Sequence, residues 1–203
     1  KFINANEAFE ALARGFHRYK DILSQSHISS SPALSEVLKR LILMELVEKE
    51  VPINDVHNKK RASYHICDNL ASFYYRYIFP YSSQRQIMVP DVFFDRYIAA
   101  DFAQVFVPKR FESLCRQFLI RQNWQGRLPE IFDAIGTYSY DLPKEHKNGE
   151  FDVVTHDDKG YIFYEAKFRQ TPITDAMIEN EIRQVRQTGM DCYRYGFFSR
   201  AGY

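Results

Sequence analysis

Asp152, Glu165 and Lys167 are the residues whose types and spacing carry the clearest chemistry. The two acids flank the turn-rich run His156-Asp157-Asp158-Lys159-Gly160, which reads as the reversal between two strands. A hairpin centred between Asp158 and Lys159 sets Asp152 directly opposite Glu165, and directly opposed residues share one face of a sheet. Two carboxylates so placed repel, and something positive must offset them. Lys167, two residues beyond Glu165, projects from the same face. A divalent cation would use both carboxylates as oxygen ligands. Held there, it would polarise a scissile phosphate and acidify a water, while Lys167 orients that water or stabilises the charge of the transition state. Residues 161–164 are all apolar or aromatic, so Glu165 interrupts a strand that otherwise reads as buried, where a lone carboxylate is costly. A surface hairpin with scattered charges yields the same short motif by chance, and that reading stands beside the catalytic one.

The elements that must position these residues follow from periodicity. A helix over 108–122 with Phe111, Leu114, Cys115 and Phe118 as its buried stripe precedes strands at 135–140, 149–155 and 161–168. A helix over 174–188, turning Ile178, Ile182 and Val185 inward, and a strand over 193–199 complete the order helix, three strands, helix, strand. This is an α/β unit. Upstream, residues 5–19 and 19–25 read as helices, and a third begins where Ser31 offers a capping oxygen and Pro32 fits the first turn. That third helix carries Leu34, Val37, Leu38, Leu41 and Met44 on one stripe and leaves Ser35, Glu36, Lys39 and Arg40 toward water. Short strands at 47–51 and 62–67 flank a polar loop with Asn58, Lys59, Lys60 and Arg61, so three helices and a hairpin give the layout of a winged helix-turn-helix. Between these regions, 69–106 is rich in aromatics and punctuated by Pro80 and Pro90, which predicts packed helices as a connector. The organisation is therefore 1–68, 69–106 and 107–203.

Phe111-Glu112 opening a helix, Gly149-Glu150-Phe151-Asp152, Glu165-Ala166-Lys167, a helix with Gln184 and a closing strand together resemble the PD-(D/E)XK superfamily, with its restriction-endonuclease-like α-β-β-β-α-β fold. The order of winged helix, aromatic connector and nuclease-like end is similar to the C-terminal portion of a prokaryotic, especially archaeal, family of P-loop ATPases of unassigned role. The resemblance implies Asp152 and Glu165 as metal ligands for Mg2+ or Mn2+, the Ala166 carbonyl as a further ligand, and Lys167 as the catalytic lysine. Glu112 takes the place of the first-helix acid that supports the metal site; its plain reading is a surface pair with Arg116 four residues on. For Gln184 a solvated helix face is the better reading. Phe151, not proline, precedes Asp152, a departure from the residues that name the superfamily. No GxxxxGK[ST] run occurs in the chain, so an ATPase domain would lie before Lys1, and the chain reads as part of a larger protein.

Other residues are weaker candidates. Lys59, Lys60 and Arg61 suit a wing over a DNA backbone, and Lys39 and Arg40 suit phosphate contacts, although Glu36, Glu45, Glu48 and Glu50 lie close by and would repel phosphates. The six histidines show no HxxxH or HExxH spacing; His146 with Lys144 and Lys147 precedes the acidic strand and would touch a substrate phosphate only by loop position. Trp124 reads as a core or interface anchor. Cys67, Cys115 and Cys192 are odd in number and far apart, which argues against a disulfide framework and for a reducing cytoplasm. The formal net charge of +1 gives no global attraction to nucleic acid, so binding must come from local patches. No apolar run reaches membrane-spanning length. Two functions follow as expectations: a DNA-binding, metal-dependent phosphodiesterase joined to an ATPase, with oligomers allowed, or a non-catalytic regulatory or interaction module on a vestigial nuclease fold.

Overall fold

The computed structural model describes residues 4–142 and 147–203. Two compact units emerge: one takes the chain up to Val51 together with His57–Ala100, the other takes Pro52–Val56 together with Asp101–Tyr203. Among the described residues no helix is long and apolar enough to cross a membrane.

In the first unit α1 (Ala5–Ala13), α2 (Tyr19–Gln25) and α3 (Ser31–Leu43) precede an antiparallel hairpin of β1 (Val47–Glu50) and β2 (Ser63–Ile66). α1 stops well short of Tyr19. Gly15, at φ 100°, turns the chain out of the helix, and its N–H and that of Phe16 take the carbonyls of Leu12 and Ala11. Arg18 then runs extended and bridges antiparallel to Ser63. Ser30, rather than Ser31, caps α3 by accepting the N–H of Ala33. Leu34, Val37, Leu38 and Leu41 share a core with Ala8, Leu12, Ile22 and Val47. Met44, expected to extend that stripe, sits where the helix ends and is half exposed. Asp68 caps α4 (Asn69–Phe73), which runs into a π-helical turn at Tyr74–Ile78 and is followed by α5 (Ser82–Ile87) and α6 (Pro90–Tyr97). The Tyr75 ring stacks on Phe9 at 4.7 Å, and Tyr77 and Phe93 are buried.

α7 (Ala99–Asp101) spans the boundary at Ala100, and in the second unit a π-helical turn at Phe102–Phe106 leads into α8 (Val107–Trp124). β3 (Ala134–Leu142), β4 (Lys147–Asp157), β5 (Gly160–Lys167), α9 (Asp175–Gln187) and β6 (Cys192–Ser199) follow. The strands form one mixed sheet in the order β3-β4-β5-β6, antiparallel except for the parallel pair β5 and β6. The exposed edge of β3 is closed by Pro52–Val56: the Ile53 N–H donates to the Thr137 carbonyl at 2.8 Å, and the Asn54 amide bonds both backbone groups of Ser139.

Leu119 of α8 packs with Val153 on one face of the sheet, while Val185 of α9 packs with Phe151, Val154 and Phe163 on the other. The buried stripes are narrower than the sequence predicts. On α8 only Cys115 and Leu119 are buried; Leu114 and Phe118 stay about half exposed, and Trp124, at 86% exposure, is not a core anchor. On α9 Val185 alone is fully buried, with Ile178 and Ile182 partly so. A four-stranded sheet offers each helix a narrow floor, so the flanking apolar residues of the stripe are left at its rim.

Candidate functional site

The turn after β4 fixes the register of the strands that carry the acids. Asp157 Oδ1 accepts the Lys159 N–H at 2.8 Å, and Gly160 takes φ 124°, where any Cβ would stand 2.8 Å from the Asp191 carbonyl. β4 and β5 pair from Asp157↔Gly160 to Val153↔Tyr164, which leaves Asp152 as the next residue opposite Glu165. Simple two-face alternation breaks there. From Gly136 to Tyr138 β3 advances two positions while β4 advances three, from Val154 back to Phe151, so Asp152 and Val153 form a bulge. Phe151 thereby stays beside Val154 on the α9 face. Asp152 is re-aimed, and its Oδ2 meets Lys109 Nζ of α8 at 3.3 Å.

Seven charged side chains gather around this point. Lys109 Nζ also holds Glu112 Oε2 at 3.0 Å, one helical turn on. Lys167 Nζ lies between Glu165 Oε1 at 2.6 Å and Glu181 Oε1 of α9 at 2.7 Å. Arg116 Nε donates to the backbone carbonyl of Asp152 at 3.0 Å and so braces the bulge from α8. Asp152, Glu112, Glu165 and Glu181 carry four negative charges against three positive on Lys109, Lys167 and Arg116, a formal balance of −1 when all are ionised.

The electrostatics show that the acids feel one another. Burial first, then the charge of Asp152, holds the Glu112 carboxyl above its usual range; Lys109 opposes this, and Glu165 adds to it. Burial likewise raises Glu165 against the pull of Lys167, and the charges of Glu181 and Asp152 raise it further. Burial would lower both lysines, but their carboxylate partners overcome it and raise them. The cluster therefore concentrates negative potential at one end of the sheet, with two ammonium groups inside it.

An oxygen-only donor set suits a hard divalent cation, and magnesium takes one or two carboxylates while keeping much of its water. Among the described residues no three His, Cys, Asp or Glu side chains gather as a metal-holding group, so the residues fit a two-carboxylate site better than an all-protein cage. Asp152 and Glu165 would be the carboxylate donors. Ala166, half-buried between Glu165 and Lys167 and paired with Phe198 of β6, would be the carbonyl donor.

Sequence reasoning missed Lys109 and Glu181, yet both left a signal. Lys109 stands three residues before Glu112, within reach on a helix. Glu181 falls on the same stripe as Ile178 and Val185, and an acid on an inward stripe asks for a partner. Gln184 is exposed on the solvated face of α9. His17 and His65 stack at 4.5 Å in the first unit, and His65 Nε2 lies 3.8 Å from Glu50 Oε2. Burial pushes the Cys115 thiol up to about 11, so it is no nucleophile. Lys144 and His146 lie outside the described residues.

Comparison with known proteins adds a lineage. A family described as archaeal and bacterial proteins of unknown function, DUF234, matches residues 74–185, more than half of the 203. The chain belongs to that family. It is also 31% identical over 188 residues to an uncharacterized protein of Methanocaldococcus jannaschii, an alignment that covers 91% of this chain and 40% of that protein. The chain thus spans about two fifths of the length of that relative. No solved structure matches it. The segment matched by DUF234 contains Lys109, Glu112, Asp152, Glu165, Lys167 and Glu181. Outside it lie Lys39, Arg40, Lys59, Lys60 and Arg61 of the first unit. Lys39 is exposed on α3, where Arg40 is already paired with Glu36 at 2.8 Å. Lys59 and Lys60 are exposed in a short 3-10 turn, and half-buried Arg61 gives its carbonyl to Arg18.

Proposed function

We propose that this chain is the DNA-binding and DNA-cleaving part of a P-loop ATPase, with a winged helix in its first unit and a PD-(D/E)XK-type phosphodiesterase in its second. One observation carries the reading: Asp152 and Glu165 are the next residues opposite one another beyond the last pair of β4 and β5, Val153↔Tyr164, with Lys167 on the same strand as Glu165 and the Glu112 carboxyl close enough to feel the charge of both acids. Asp152 and Glu165 would hold Mg2+ or Mn2+, which would supply Lewis acidity toward a phosphate and acidify a water. The residues do the rest. Lys167 is held by Glu165 and Glu181 at the same place, where its charge stabilises negative charge building on the phosphate oxygens. Lys109 bridges Glu112 and Asp152 and offsets part of their mutual repulsion.

The assay is cleavage of plasmid or branched DNA with magnesium or manganese, beside Asp152→Ala and Lys167→Ala. Cutting should vanish in both variants; equal cutting would assign the activity to a contaminant and end the proposal. A non-catalytic interaction module is favoured by a different observation, that each lysine bridges two carboxylates, so the charges are partly neutralised by protein alone. Calorimetric titration of metal separates the two, since the structural reading expects no binding with the fold intact.

A further inference from the structure

Beside the carboxylate cluster, α9 and the ends of β3 and β4 enclose a cleft of about 300 Å³ whose lining includes Tyr140, Lys147, Asn180, Arg183, Gln184 and Gln187. Among the described residues none that lines it carries a carboxylate, which is notable next to four clustered acids. Asn180, Arg183, Gln184 and Gln187 recur at i, i+3, i+4 and i+7, so they form one stripe of the helix. Asn180 Oδ1 accepts from Arg183 Nη2 at 2.7 Å and fixes the guanidinium at the rim. The opposite wall depends on a glycine. A Cβ at Gly149 would stand 2.4 Å from Tyr140 Oη, so the ring can lie across β4 only because residue 149 has no side chain. Gln184 Nε2 reaches that hydroxyl at 3.5 Å and closes the cleft across its width.

Two cations with several amides are the chemistry that grips a phosphate and reads a base edge, since arginine and lysine take phosphate oxygens and amides present paired donors and acceptors. A volume of about 300 Å³ is at the small end of ligand pockets and admits one nucleotide rather than the width of a duplex. We propose that this cleft holds one nucleotide of a single nucleic-acid strand, with its phosphate on Lys147 and Arg183 and its base edge against Asn180, Gln184 and Gln187. Glu181, one position after Asn180, turns to Lys167, so the same helix lays the strand beside the carboxylates. The inference rests on the nucleic-acid part of the proposed function and not on cleavage.

The test is fluorescence anisotropy of a labelled single-stranded oligonucleotide with chelator present, comparing the full chain with Lys147→Ala/Arg183→Ala. Both side chains are exposed, and circular dichroism checks that the variant is folded. The variant should bind about 10-fold more weakly, and the slope of log affinity against log salt should fall by about 1.4, or 0.7 for each of two phosphate contacts. A photoreactive thymidine analogue in the oligonucleotide should crosslink to α9. Unchanged affinity in the folded variant, or crosslinks confined to residues 1–68, would overturn the proposal. So would competition by a nucleoside monophosphate at the oligonucleotide's own affinity, which would make the ligand a free nucleotide. Because chelator removes cleavage, an uncut plasmid in the metal assay refutes the nuclease reading and leaves this result standing.

Discussion

Replacing Lys167 with alanine removes an ammonium that sits between Glu165 and Glu181, and the consequence can be followed through pH. The two carboxylates keep 24% and 18% of their side-chain surface, so solvent cannot screen them well. Removing one member of such a buried group costs about 3 kcal/mol at neutral pH. For a chain of this size that is a fall in melting temperature of roughly 6–12 °C. The sign with pH follows from Glu165. Burial already holds its carboxyl above the usual range, and loss of the Lys167 charge and hydrogen bond lets it rise further. A group raised on folding keeps a proton that the unfolded chain has released, so stability falls as pH climbs from the ordinary glutamate value through the raised one. The deficit of Lys167→Ala should therefore be full at neutral pH and largely gone at about pH 4, where Glu165 is protonated. Thermal melts of both proteins across that interval measure it. Magnesium at saturation stabilises both proteins, so it should narrow the neutral-pH gap by about 1.4 kcal/mol for each tenfold by which the variant, freed of the competing ammonium, binds it more tightly. Equal losses at both pH values, or no loss, would refute the reasoning, because either result means Lys167 does not balance the two carboxylates.

Three further outcomes follow from the same geometry. Lys109→Ala removes an ammonium, 57% exposed, that competes with a metal for Asp152; stability should change by less than about 1 kcal/mol while calorimetry shows tighter magnesium binding. Gly149→Ala must displace the Tyr140 ring and should cost about 1–3 kcal/mol in denaturant melts. Leu119→Ala, which empties the contact of α8 with Val153, should cost about 2–5 kcal/mol by the same measurement and, by loosening α8, weaken magnesium binding as well.

Much of the second unit was legible because its signals are local. The order of helix and strand came from periodicity, and the register from a turn whose Asp157 and Gly160 permit one tight reversal. The helix ends were less legible. Nothing in the composition of residues 5–19 says that Gly15 rather than Tyr19 ends α1, since glycine is tolerated in a helix when packing favours it. The same holds for Leu114, Phe118 and Trp124: an apolar side chain at helical spacing is buried only if a partner surface reaches it.

By itself, then, the chain's sequence determined which residues oppose one another across β4 and β5, because turn chemistry and a side-chain period of two act over a few residues. It also set the acids and lysines in segments that must be strand or helix. What only the tertiary structure decided is the company those charges keep. The bulge at Asp152 arises from pairing with β3, and it swings the carboxylate to Lys109. Glu181 reaches Lys167 because Val185 anchors α9 on the sheet. Contacts of that kind depend on how far helices and strands approach in space, a quantity that no spacing along the chain encodes.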